Sequence, residues 1–308
     1  NNPFLITGYH SPEYFCDRLK ETETITNALQ NERNITLIAP RRMGKTGLIK
    51  NVFYHLGKKN ETVLVYMDIF STLNLNEFVH LFAASVLGVL DSDVQKLIGK
   101  VSQFLKNCRP VLTFDEITGQ PQVSIDISPG KEEATLREIF DYITANDKRC
   151  VIAIDEFQQI AEYPEKGVEA LLRSYIQFVP NTRFIFAGSK QHIMQEMFLS
   201  AKRPFYQSTQ IVTIDAIRKE EYYDFTRHFF QETNRQFGRD TFYYMYDEFE
   251  GHTWYMQALL NRLYGYGTDV TDKTLINRAI QELTDEGVYG YQNLIAAYPG
   301  VAAKLMKA

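Results

Sequence analysis

Across the first two-thirds of the chain, short uninterrupted apolar runs alternate with longer segments in which apolar residues recur every three or four positions. The runs are Ile35 to Ala39, Thr62 to Met67, Val151 to Ile154 and Phe184 to Ala187, with Ile211 to Ile214 as a fifth. Runs of this length without polar alternation suit strands buried on both faces, and the periodic segments between them suit crossover helices. The pattern predicts an α/β fold, a largely parallel sheet flanked by helices. Between the second and third runs lies PVLTFDEITGQPQVSIDIS, whose two alternating arms flank Gly119-Gln120-Pro121. That segment predicts a β-hairpin insertion over about 110–128.

After about residue 214 the strand signals stop. The segments KEEYYDFTRHFFQETN, RDTFYYMYDEFE, WYMQALLNRLYGY and DKTLINRAIQELTDEG carry apolar residues at helical spacing, which predicts a helical second domain over 214–288 following a core over 1–213. Tyr222, Tyr223, Phe225, Phe229, Phe230, Tyr243, Tyr244 and Tyr246 make this region dense in aromatic rings. A base-stacking surface would interleave such rings with basic residues; these follow helical faces instead and read as core.

At the end of the first predicted strand stands Ala39-Pro40-Arg41-Arg42-Met43-Gly44-Lys45-Thr46, followed by the amphipathic KTGLIKNVFYHL. A strand, a tight loop and a helix beginning GK with Ser or Thr form a P-loop, in which loop amides and the helix N-terminus converge on phosphate oxygens. Ala39 stands where the pattern has its first glycine. The candidate nucleotide-binding residues are Pro40, Arg41, Arg42, Met43, Gly44, Lys45, Thr46 and Gly47; Lys45 would reach the β and γ phosphates and Thr46 a Mg²⁺ ion. Arg41 and Arg42 can hold phosphate, face solvent or brace a neighbouring segment.

A second signal is CVIAIDEF, an apolar strand running into Asp155 and Glu156. Carboxylates at the carboxyl end of a buried strand sit where doubly wound sheets place ligand chemistry. Asp155 is the metal-side candidate, and Glu156 the group to orient or deprotonate an attacking water. A third is TRFIFAGSK, with Ser189 at the strand mouth, where its hydroxyl can meet a γ phosphate or the water, or cap the next helix.

Composition narrows the alternatives. With 33 basic and 38 acidic residues the chain carries a net charge of -5, so charge gives no general attraction to nucleic acid. Cys16, Cys108 and Cys150 form no CxxC pair, and the six histidines show no HExxH spacing, which points away from a zinc centre and fits a reducing, cytoplasmic setting. The longest mainly apolar stretch, Leu81 to Leu90, is short of the roughly 20 residues that cross a bilayer. No charged-then-apolar leader opens the chain, which starts at Asn1 and reads as trimmed.

These signals, with YFCDRLKE ahead of the loop, resemble the archaeal-type ATPase family within the STAND and AAA-like P-loop NTPases, in particular a Bacteroidetes branch. The resemblance implies that Phe15 and Arg18, with Glu21, match a segment of form FxxRxxE that shapes the adenine pocket. It implies that the helical domain over 214–288 is a lid subdomain, and it aligns GHTWYMQ with a lid GxP motif, Thr253 standing at the proline. Arg203, in AKRPFYQST, is implied as an arginine finger. YGYQNLIAAYPGVAAKLMKA, over 289–308, is implied as the opening of a winged helix. Catalytic candidates are therefore Lys45, Glu156, Ser189 and Arg203; metal candidates are Thr46 and Asp155. The implied function is an ATP-binding, Mg²⁺-dependent ATPase acting as a nucleotide-controlled conformational switch, with ATP and ADP as ligands. A slow or non-hydrolysing regulator, and a DNA-associated ATPase working through the winged helix, are the alternatives; a protein partner fits any of the three.

Overall fold

The computed structural model describes residues 2–58, 62–90, 105–114 and 121–286. The tip of the expected hairpin and the expected winged-helix start at 289–308 lie outside the described residues. The chain divides into two compact units, one formed by residues 20–41 and 52–214, the other by 1–19, 42–51 and 215 onward.

The first unit holds a five-stranded sheet. In chain order its strands are β1 (Ile35–Ile38), β2 (Thr62–Asp68), β5 (Arg149–Asp155), β6 (Thr182–Gly188) and β7 (Gln210–Thr213), arranged β2-β5-β6-β1-β7 with parallel pairing throughout. These are the five apolar runs of the sequence. All four residues of β1 are buried, as are six of the seven in β5, so both faces of the central strands are covered. Helix α3 (Leu75–Leu90) lays Phe78, Val79, Phe82, Val86 and Leu87 into the core, and α4 (Glu132–Thr144) adds Leu136, Ile139, Phe140 and Ile143. Between these two helices in sequence, β3 (Cys108–Phe114) and β4 (Pro121–Ile127) pair antiparallel as a separate two-stranded sheet.

The order of the strands matters for function. β6 lies between β5 and β1, so the carboxyl ends of the Asp155 strand, the Ser189 strand and the strand entering the P-loop share one sheet edge. Helices α5 (Val168–Ile176) and α6 (Gln191–Leu199) follow β5 and β6.

The second unit contains the N-terminal segment, the first part of α2 (Lys45–Gly57) and the helices α7 (Lys219–Glu232), α8 (Arg239–Glu248), α9 (Thr253–Gly265) and α10 (Lys273–Glu286). The aromatic residues named above between Tyr222 and Tyr246 are buried in its core or packed against it. Phe4, Tyr222, Phe229, Phe230 and Phe242 are buried, and Phe4 makes edge-to-face contacts with Phe225 and Phe229, each at 6.0 Å between centroids. Asn261 fastens the N-terminal segment by donating from Nδ2 to the Phe4 carbonyl at 2.7 Å. The thiols of Cys16, Cys108 and Cys150 are free and buried. No described helix is long and apolar enough to cross a membrane.

One surface cluster of this unit has a pH signature. The Tyr266 hydroxyl and the guanidinium groups of Arg278 and Arg262 donate to the Glu282 carboxylate and lower its pKa to about 2. Ionised Glu282 therefore stabilises the folded state above the ordinary glutamate pKa of ~4.3, and that contribution fades as the pH falls towards 2. Glu282→Gln should lower Tm at neutral pH, with the gap from wild type closing across that acid window in a series of thermal melts.

Candidate nucleotide site

The phosphate loop begins as an extension of β1. The Ala39 amide donates to the Gly188 carbonyl at 3.3 Å, and Ala39 is not among the residues with positive φ. Alanine at the first-glycine position thus imposes no backbone strain. Left-handed geometry comes later, at Arg42 (φ 64°) and Gly44 (φ 87°), bracketing Met43 just before α2 starts at Lys45. Glycine suits its position, whereas a left-handed φ costs an ordinary L-residue roughly 1–2 kcal/mol. Pro40, Arg41, Arg42 and Thr46 are exposed, Gly44 and Gly47 are partly covered, Met43 is buried, and Lys45 is 7% exposed.

The loop and the start of α2 are packed by the N-terminal segment and the start of α9, all within one unit. The Phe15 ring lies against Gly47, so close that a Cβ there would stand 3.0 Å from it. The buried Arg18 donates from its guanidinium to the Met43 carbonyl at 3.4 Å. From α9, the Trp254 amide donates to the Arg42 carbonyl at 3.1 Å and the Thr253 hydroxyl to that of Met43 at 3.5 Å. The Arg42 guanidinium lies 4.5 Å from the centre of a Trp254 ring. Phe15, Arg18 and the Gly251–Tyr255 segment, separated widely in sequence, are therefore brought to the same loop. Thr253, at the expected proline, starts α9 and supplies a hydroxyl that proline lacks.

The other candidates belong to the sheet unit. Asp155, 1% exposed, accepts from the Tyr66 hydroxyl at 2.9 Å and from the Glu156 amide at 2.8 Å. Glu156 itself has a left-handed φ of 55°, which turns the chain from β5 into the 3-10 turn Phe157–Glu162. Phe157 anchors that turn, with its ring 4.6 Å from Phe186 and 5.4 Å from Phe205. The Glu156 carboxylate accepts from the Ser189 hydroxyl at 2.7 Å and from the Gln158 side chain. Ser189 thus meets Glu156 across the β5–β6 boundary. Arg203 is 2.6 Å from Glu169 and 3.6 Å from Glu196 in paired contacts within the same unit. Arg41 lies over Phe70, 5.5 Å from the ring centre.

Gly188 makes the Glu156 arrangement possible. A Cβ at that position would lie 2.4 Å from Met194 Sδ and 2.5 Å from Gln158 Oε1. Gly188→Ala should cost about 1–3 kcal/mol by overpacking, read as a lower denaturation midpoint.

Spacing alone did not single out Tyr66, Gln158 or Asp68. Asp68 ends β2 directly opposite Asp155 in register, and TVLVYMD, an apolar strand finishing in an acid, was the signal available for it.

The family comparison decides the class. Residues 15–259 match the model for an ATPase domain predominantly from Archaea. The chain belongs to this family. It is accordingly a nucleotide-binding P-loop ATPase domain, and the matched span includes the loop, the acidic strand end and the lid segment carrying Trp254. Solved structures agree on the fold. A Walker-type ATPase of Pyrococcus abyssi aligns with a TM-score of 0.64 at 16% identity, covering 96% of this chain and 79% of its own. The ORC2 protein of Aeropyrum pernix aligns at 0.58 and 15% identity, covering 92% and 71%. A RuvB point variant from Thermotoga maritima aligns at 0.52 and 13%, covering 94% and 80%. Among curated proteins, none matches the sequence significantly.

Proposed function

We propose that this member of the archaeal-type ATPase family hydrolyses MgATP to ADP and phosphate and uses the bound nucleotide to set the conformation of its helical lid. The observation that carries the reading is the loop's attachment: Arg42 and Met43, within the phosphate loop, offer their carbonyls to the first residues of the lid helix α9. A ligand that binds the loop would act on groups that α9 already holds, and it would switch the lid by binding its two arrangements with different affinity. The ORC2 neighbour was solved as ADPNP-ADP complexes, in keeping with an adenine nucleotide as the ligand.

The assigned roles follow side-chain chemistry. Lys45 and the loop amides would hold phosphates, and Glu156 would orient and deprotonate the attacking water, with Ser189 and Gln158 fixing its carboxylate. The Thr46 hydroxyl and the Asp155 carboxylate are each hard oxygen donors of the kind magnesium takes. Among the described residues there is no group of three or more His, Cys, Asp or Glu that would form an all-protein cage. Magnesium is commonly held by one or two protein oxygens with phosphate and water completing the shell, and it neutralises charge on the transferring phosphate. Arg203 is proposed to brace α5 and α6 through Glu169 and Glu196; its use as an arginine finger would require it to leave both.

The deciding measurement is phosphate release by the wild-type chain with MgATP, alongside lid mobility by hydrogen exchange in ATP and ADP. The reading expects turnover that EDTA abolishes and lid protection that differs between nucleotides. Tight MgATP binding with no hydrolysis would leave a non-hydrolysing regulator; identical protection in both nucleotides would remove the switch.

A further inference from the structure

Arg42 sits in the middle of a phosphate loop with a fully charged side chain, yet its guanidinium lies over the indole of Trp254. Its main chain is committed in the same direction, because the Trp254 amide donates to its carbonyl. The next carbonyl, of Met43, accepts from the Thr253 hydroxyl and from Arg18. Helix α9 in turn has no side-chain cap from its N-cap residue His252, so the Arg42 carbonyl serves one of the amide donors that every helix N-terminus leaves over. Loop and helix cap one another.

In a trans peptide the carbonyl and the following amide point in opposite directions. Tying the carbonyls of Arg42 and Met43 to α9 and Arg18 therefore aims the amides of Met43 and Gly44 the other way. Successive amides turned out of a left-handed bend form an anion-binding concavity. The left-handed φ at Arg42 is unfavourable for an arginine, and the stack on Trp254 offsets it.

We infer that Arg42 is a positioning residue rather than a phosphate ligand: stacked on Trp254, it presets the Met43 and Gly44 amides for phosphate and makes the first turn of α9 the element that senses whether the loop is filled. This rests on the ATPase reading above and deepens it by assigning the loop–lid contact.

The test uses the full chain, with ATP affinity measured by calorimetry and kcat and KM by phosphate release. Arg42→Ala and Trp254→Ala should each weaken ATP binding by about 3- to 10-fold, seen as a higher Kd and a matching rise in KM. The double variant should be no worse than either single one, as for two halves of one interaction. Arg42→Gly should recover most of the affinity, because glycine takes the left-handed φ without a stack. Trp254→Phe, which keeps an aromatic face, should fall between Trp254→Ala and wild type, and it covers the case in which Trp254→Ala folds poorly. Trp254 is the only tryptophan in the sequence, so its emission reports on this contact. Acrylamide quenching should rise in Arg42→Ala without nucleotide and change on adding MgATP to wild type. The inference is overturned if Trp254→Ala binds ATP like wild type, if the two losses multiply, or if Arg42→Gly loses as much as Arg42→Ala; each result would show that the stack on Trp254 does not preset the loop. Wild type that binds no ATP is a separate failure, that of the ATPase reading.

Discussion

Glu156→Gln should bind MgATP within about twofold of wild type while hydrolysing it about 10²- to 10⁴-fold more slowly, the range a positioned general base supplies. Glutamine has nearly the same shape as glutamate and keeps an oxygen to accept from Ser189 and Gln158, the two donors that hold this side chain. What it cannot do is take a proton. The turn from β5 into Phe157 should survive, because Phe157 and its ring contacts are untouched. Single-turnover and steady-state phosphate release, with affinity measured in parallel, separate chemistry from binding. Equal rates in variant and wild type would remove Glu156 as the base.

Lys45→Ala should cut ATP affinity by about 100-fold or more, because it deletes a charge-assisted contact to the phosphates, worth on the order of 3 kcal/mol when desolvated. Lys45 is 7% exposed at the first residue of α2, so alanine also leaves part of its aliphatic stem unfilled. Lys45→Met keeps that volume without the charge. It should lose binding as severely as alanine while melting closer to wild type. Retained MgATP affinity in Lys45→Met would contradict the site as a whole.

The parts of the site that were legible in the sequence are those carried by contiguous residues. NITLIA followed by the loop and KTGLIKNVFYHL contains strand, loop and helix in one run, and CVIAIDEF contains both the strand and the acids at its end. The five strands could be read because each holds a short apolar run, and the inner strands β1, β5 and β6 are buried almost throughout, the mark of strands covered on both faces. What could not be read depends on which strands lie side by side. Ser189 was placed at a strand mouth, but its hydrogen bond to Glu156 follows only from β6 pairing with β5. Tyr66 reaches Asp155 because β2 is the other neighbour of β5. Arg42 and Trp254 lie far apart in sequence, and nothing in either segment signals the other. The resemblance implied Arg203 as an arginine finger, and its ion pair with Glu169 on α5 could not be read from AKRPFYQST.

The division of the chain has a consequence for how it can be cut. Residues 42–51, the greater part of the phosphate loop and the opening turns of α2, group with the N-terminal segment and the lid rather than with the sheet. A fragment trimmed to the sheet at both ends, keeping residues 20–214, would retain every strand and both acidic side chains. It would lose Phe15, Arg18, Thr253 and Trp254, the residues that shape the loop. Such a fragment is an α/β scaffold without the residues that pack its phosphate loop, so the smallest piece expected to bind nucleotide includes the N-terminal segment and α9.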